Sequence, residues 1–274
     1  MKLYVEDTNV HYRVRQSWLN DFMLCPERSR LAITLPQWRS GSDATAIGTG
    51  IHAAIEWAME NHEDIPDVDL EELKDVATKH VLDELEKPIK LTKISDDEEV
   101  MMASVDAMIE GWHRDIAPMV EWGGHSEYQF EIDTGLVSAN NVPILLTGTM
   151  DYISPQGEIW DWKTATRAYG EADKQARAIQ PTFYCYAAEK LGLSDGSMSF
   201  FYGVMIRKPQ VKTQVVEITR NTAHFDWMLR QLESASRMAV KMGMEESWPM
   251  NDQGHLCSST WCDYWSVCKG ASLP

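Results

Sequence analysis

The stretch with the densest potential chemistry is Gly148–Lys163, GTMDYISPQGEIWDWK, which sets two acids, Asp151 and Asp161, and one lysine, Lys163, on either side of a turn. Pro155 suits the second position of a type I turn, and Gly157 can take the positive φ that closes a three-residue hairpin loop with a bulge. Ser154 then faces Glu158. Counted back by twos, Asp151 faces Asp161; Lys163 shares the face of Asp161, and Trp160 and Trp162 point the other way. Opposed residues hold their Cβ atoms about 5 Å apart, where two like charges repel by about 3 kcal/mol at an effective dielectric near 20. A good cross-strand pair contributes only about 0.2–1 kcal/mol. The arrangement therefore requires a proton, a cation or both, and a divalent ion held by oxygen ligands meets the need. The competing reading is a solvated hairpin face on which Lys163 is an ordinary surface partner.

Three further groups carry chemistry. In QPTFYCYAAEK, Gln180 and Tyr184 are four residues apart, on one side of a helix start. In GTGIHAAIE, His52 and Glu56 lie one turn apart on another helix. Of the five cysteines, Cys257, Cys262 and Cys268 stand as C-x4-C-x5-C in CSSTWCDYWSVCKG, and Cys25 lies far upstream in LCPERSRL. Four thiolates suit either a 4Fe-4S cluster or Zn2+. Cys185, inside the helix of Tyr184, reads as a small buried apolar residue.

The elements that must position these groups follow from periodicity and turn chemistry. Ser17 is a candidate cap for a helix WLNDFMLC, and Pro26 restarts it as ERSRLAI. Helices are expected near Gly48–His62, Leu70–Glu86 and Asp97–Val120. The period then changes to two, over Glu127–Asp133, Val142–Ile153 and Glu158–Lys163. A helix from Pro181 to Leu191, strands Ser197–Ile206 and Val211–Ile218, and a helix from Asn221 to Lys241 complete the series. This order predicts an α/β fold with a central sheet flanked by helices. Three segments are expected: a helical part over 1–122, a core over 123–245, and a cysteine-rich tail over 246–274 that packs on Cys25.

With 274 residues the chain can bury a full core. It shows no secretory signal and no long apolar run, so a soluble, cytoplasmic protein without membrane contact is expected. A net charge of −17 opposes binding to nucleic acid. Its distribution softens that objection: Glu60–Glu110 holds 17 acids against 5 lysines, a net of −12, which leaves −5 for the remainder. The acidic span reads as the solvated face of helices. The absence of a GxxxxGK loop excludes an ATP motor of the P-loop kind.

Taken in order, His52, Asp151, Asp161-x-Lys163 and Gln180-x3-Tyr184 resemble the RecB-like branch of the PD-(D/E)xK nucleases. One early cysteine with three at the C-terminus resembles the iron-sulfur staple of such nucleases and of CRISPR adaptation nucleases. These resemblances imply a restriction-endonuclease-like core and a DNA exonuclease that uses Mg2+ or Mn2+. His52, Asp151, Asp161 and the backbone carbonyl of Trp162 would hold the metal. Lys163 would orient or help deprotonate the attacking water, and Gln180 and Tyr184 would position water, lysine or DNA backbone. Glu127, Glu131 and Glu56 are lesser, outer candidates. The family favours a 4Fe-4S cluster over zinc on Cys25, Cys257, Cys262 and Cys268. Arg167, Lys174, Arg177, Arg207 and Lys208 are the cations available to line a DNA groove. The expected substrate is DNA with a free end, in phage, repair or CRISPR processing, with a helicase, recombinase or integrase as partner. The alternatives are an iron-sulfur DNA-binding protein without activity and a structure-selective endonuclease.

Overall fold

Lys2–Glu6 (β1) and Asn9–Val14 (β2) pair antiparallel, Lys2 opposite Arg13. This hairpin precedes the helices expected at the N-terminus and was not among the expected elements. The computed structural model describes residues 1–6, 9–39, 41–92, 97–194 and 199–272. Gln16–Leu24 (α1) begins before Ser17 and has no side-chain cap. Cys25 ends it, and Pro26 opens Pro26–Thr34 (α2), where its missing N–H has no partner to lose. Asp43–Asn61 (α3) starts well ahead of Gly48, because Ser42 accepts the Thr45 N–H at 3.2 Å. Gly50 inside α3 looks like a helix breaker but permits contact. A Cβ there would lie 2.4 Å from Val81 Cγ2 and 2.7 Å from the Ala77 carbonyl of Leu70–Leu85 (α4). Glu98–Gly111 (α5) runs into a π-helical turn at Trp112–Ile116.

The remaining elements are His125–Val137 (β3), Pro143–Ile153 (β4), Ile159–Ala165 (β5), Glu171–Arg177 (α6), Ile179–Leu191 (α7), Ser199–Ile206 (β6), Lys212–Thr219 (β7) and Thr222–Met242 (α8). Residues 197–198, expected to open β6, lie outside the described residues. The sheet order is β1-β2-β4-β5-β6-β7, with β3 paired to β4. β2–β4 and β5–β6 run parallel, while β1–β2, β4–β5 and β6–β7 run antiparallel. The fold is thus a mixed α/β sheet with flanking helices, as the sequence predicts. Among the described residues no helix is long and apolar enough to cross a membrane.

Contacts divide the chain into two compact units that run across the three expected segments. The first comprises Met1–Ser40, Phe130–Gly148 and Thr222–Pro274. In it the buried Glu27 carboxylate accepts from Arg30 at 2.6 and 2.8 Å and from the Trp248 N–H at 2.6 Å. Arg30 also donates to the Met244 carbonyl at 2.8 Å, so α2 is tied to the segment after α8. The second unit comprises Gly41–Gln129 and Thr149–Asn221. Its core sets α3, α4 and α5 against the tryptophan face of β5. Trp112 meets Trp162 edge-on at 6.1 Å, and Trp160 stacks on Phe201 at 4.6 Å. α4 buries Leu73, Ala77 and Val81, which leaves its acids on the solvated face.

Candidate active site

The turn between β4 and β5 closes as its residues dictate. The Ser154 N–H donates to the Glu158 carbonyl and the Gly157 N–H to the Ser154 carbonyl, each at 2.9 Å, and Gly157 takes φ 85°. Tyr152 pairs with Trp160, a register that aligns Asp151 with Asp161. There the ladder opens. Asp151 Oδ2 accepts the Trp162 N–H at 2.8 Å, so a carboxylate stands where a strand carbonyl would be.

His52 reaches the same point from α3. Its Nε2 donates to the Trp162 carbonyl at 2.7 Å, which commits the proton to that nitrogen. In the neutral ring Nδ1 is then a lone pair, and it faces Asp151 Oδ2 at 3.5 Å. A proton shared between these two atoms, or a cation beside them, satisfies both. Glu127 completes the group: donor atoms of His52, Glu127 and Asp151 all lie within 4.8 Å of one another. Glu127 has φ 44°, a left-handed conformation that costs a residue with a Cβ roughly 1–2 kcal/mol. Partial burial and then the charges of Asp151, Glu56 and Glu60 push its carboxyl up to about 7. The residue as a whole is exposed. The group opens into a cavity of about 470 Å3 lined also by Glu56, Thr49 and Thr164. Two carboxylates and one imidazole suit Mn2+ or Mg2+ better than a thiophilic ion.

Asp161 makes its contacts elsewhere. It is fully buried, ion-paired with Lys163, and accepts from Gln180 Nε2 at 2.7 Å. Burial raises its pKa, Lys163 opposes that rise and Asp151 adds to it. For Lys163 the balance is reversed: burial favours the neutral amine, but Asp161 and Asp151 outweigh it and hold the pKa above the ordinary lysine value. Gln180 sits in the first turn of α7, and Pro181 follows it where a helix has no partner for an N–H. Its side-chain Oε1 accepts from the Tyr202 hydroxyl at 3.5 Å. Burial first, then Asp161, push the Tyr184 phenol up to about 12, with a hydrogen bond to Gln180 acting against them.

The expected cations separate. Arg167 and Arg207 line one cavity of about 470 Å3 beside Thr164 and Tyr169. Arg177 is paired with Asp173 at 3.4 Å on the surface. Lys208 is exposed after β6, and Lys174 is held over aromatic rings.

In the other unit, Cys25, Cys257, Cys262 and Cys268 line a single cavity of about 240 Å3, with Arg28 and Lys269 among its walls. The tail cysteines each close a turn, their N–H groups bonded to Gly254, Ser258 and Trp265 carbonyls at 2.9, 2.9 and 3.3 Å. All four are free thiols. Cys185 is buried in α7, and that burial pushes its thiol up to about 12. It is an inert packing residue.

The family model of the PD-(D/E)XK nuclease superfamily matches residues 14–269. Among solved structures, the chain is similar to the "Putative exonuclease" from Eubacterium rectale, with 14% identity, TM-score 0.59, and coverage of 90% of this chain and 87% of the other. It also aligns with the structure of SSO0001 at 11% identity and TM-score 0.41, covering 99% of this chain and 90% of that one. The chain has no match among curated proteins.

Proposed function

Because this chain belongs to the PD-(D/E)XK nuclease superfamily, we propose that it is a divalent-metal-dependent deoxyribonuclease that degrades DNA from an end. The observation that carries the reading is the convergence of His52, Glu127 and Asp151 within 4.8 Å, next to the buried Asp161 and its partner Lys163. His52, Glu127 and Asp151 would hold Mg2+ or Mn2+, with Asp161 and the Trp162 carbonyl adjoining. When bound, the ion supplies Lewis-acid charge at the phosphate and lowers the pKa of a water nucleophile. The chain's own residues do the rest. Lys163, ion-paired with Asp161, would hold a phosphate oxygen and stabilise charge that grows in the transition state. Asp161 and Gln180 fix the position of that ammonium.

The end preference follows from charge. A chain of net −17 does not hold long duplex by diffuse attraction, so its few cations and the metal must grip a short stretch of backbone. Arg167 and Arg207 supply two of those cations from one cavity. The four-cysteine cavity would hold a 4Fe-4S cluster. The cluster would staple α2 to the tail. A helicase, recombinase or integrase would deliver the substrate.

The test incubates purified protein with end-labelled linear DNA and closed circular DNA, each with Mn2+, Mg2+ or chelator. Shortening of linear DNA that needs metal, with circles spared, is expected. Equal cutting of closed circles replaces the exonuclease reading with an endonuclease one, and binding without cleavage replaces it with an iron-sulfur DNA-binding protein.

A further inference from the structure

Lys174, in the middle of α6, carries its ammonium 3.9 Å from the centroid of the Tyr169 ring and 5.5 Å from that of Tyr202. The two rings meet edge-on, with centroids 5.5 Å apart. Tyr169 is gripped through its backbone: its N–H donates to Gln214 Oε1 at 2.8 Å, and its carbonyl accepts from Gln214 Nε2 at 3.1 Å. Tyr202 is buried in β6. Arg220 braces α6 from below, donating to the carbonyls of Lys174 at 3.4 Å and Ala178 at 2.9 Å and to Thr182 Oγ1 at 2.7 Å. The backbone on either side of the ammonium is therefore tied to β7 and to Arg220 just after it.

What it is aimed at is not a carboxylate. Lys74, an ordinary structural lysine, bonds two glutamates at 2.8 and 2.7 Å. Lys174 has no ion pair among the described residues, and its neighbour Asp173 is paired with Arg177 instead. Aromatic faces attract an ammonium through the ring quadrupole without supplying a lone pair, so its N–H donors remain available. Tyr202, one of its two rings, pairs with Asp161 across β5 and β6 and carries its hydroxyl 3.5 Å from Gln180 Oε1, which places the ammonium beside the proposed reaction.

We propose that Tyr169 is a positioning residue that, with Tyr202, presents Lys174 to a non-bridging phosphate oxygen of the bound DNA strand, adjacent to the phosphate that faces Lys163. This inference rests on the nuclease reading and identifies a second phosphate contact within it. Arginines are not interchangeable with this device: the rings orient a compact cation, and the unpaired donors grip one oxygen.

The experiment measures cleavage of an end-labelled single strand by the full chain in Mn2+, over about 50 to 200 mM salt. Lys174→Met is expected to raise KM about tenfold, the value of one charged hydrogen bond, with kcat little changed. Its log–log salt slope is expected to fall by about 0.7, the signature of one lost phosphate contact on a single strand. Tyr169→Phe keeps the ring and behaves as wild type. Tyr169→Leu reproduces Lys174→Met, and the double variant is no worse than either single one. A salt slope unchanged in Lys174→Met overturns the inference while leaving a cleaving wild type, and hence the nuclease reading, intact. Equal damage by Tyr169→Phe and Tyr169→Leu also overturns it, by assigning the effect to the hydroxyl. If the wild type shows no metal-dependent cleavage, the nuclease reading falls and takes this inference with it. Should Tyr169→Leu fail to fold, Lys174→Met alone decides through its slope.

Discussion

Replacing Lys163 with methionine keeps the length of the side chain and removes the cation paired with Asp161, a carboxylate with no solvent exposure. Breaking a buried pair from one side costs about 3–5 kcal/mol when the remaining charge cannot escape. Here it can escape, by taking a proton. Burial already raises the Asp161 pKa above its ordinary 3.8, and without the opposing pull of Lys163 it rises further. The sign follows: below about pH 4 the folded and unfolded states both hold the proton, and the substitution costs little beyond packing. Between about pH 4 and about 6 the folded carboxyl keeps its proton in both proteins and the gap stays flat; above about 6 wild-type Asp161 ionises in place while the variant's stays protonated, so the gap widens by about 1.4 kcal/mol per pH unit toward the ceiling above. Guanidinium unfolding in chelator at acid and at alkaline pH measures it. The double variant Lys163→Met/Asp161→Asn, which has no carboxyl to protonate and retains an acceptor for Gln180, should lose this pH dependence. A deficit in Lys163→Met that is the same at both pH values, or that survives unchanged in the double variant, refutes the argument.

Gly157→Ala forces a Cβ to within 2.4 Å of the Leu193 carbonyl at φ 85°, and should destabilise the protein by about 2 kcal/mol or more in denaturant titration; wild-type stability would mean that the turn relaxes. His52→Ala and Glu127→Gln should each raise the Mn2+ midpoint of cleavage at least about tenfold with small changes in Tm, and an unchanged midpoint for Glu127→Gln would remove it from the donor set. Anaerobically purified protein should be brown and contain iron and sulfide. Serine at Cys25, Cys257, Cys262 or Cys268 should bleach it and lower Tm, while Cys185→Ser keeps the colour; colourless protein with stoichiometric zinc rejects the cluster.

The hairpin that carries Asp151 and Asp161 is legible because its determinants are local: Pro155 and Gly157 set backbone angles within five residues, and a period of two then dictates which side chains share a face. The same locality made α4, α5 and α8 plain, since each repeats an apolar stripe over several turns. The β1–β2 hairpin and α6 were not legible. α6 is short and is held by Arg220 and Gln175 reaching from and to distant strands, and pairing of that kind leaves no periodic trace. Within the site, a count along a strand aligned two carboxylates, but it could not show that the ladder opens there, so that Asp151 caps the Trp162 N–H while Asp161 turns to Lys163 and Gln180. Nor could it bring Glu127 to His52, because a positive φ in a residue other than glycine is imposed by its surroundings and not by its own preferences. Residue types and spacing determined which chemistry the chain could perform. Which carboxylate meets which cation was decided only by tertiary packing, because direct contacts at 3 to 5 Å are set by elements up to a hundred residues apart.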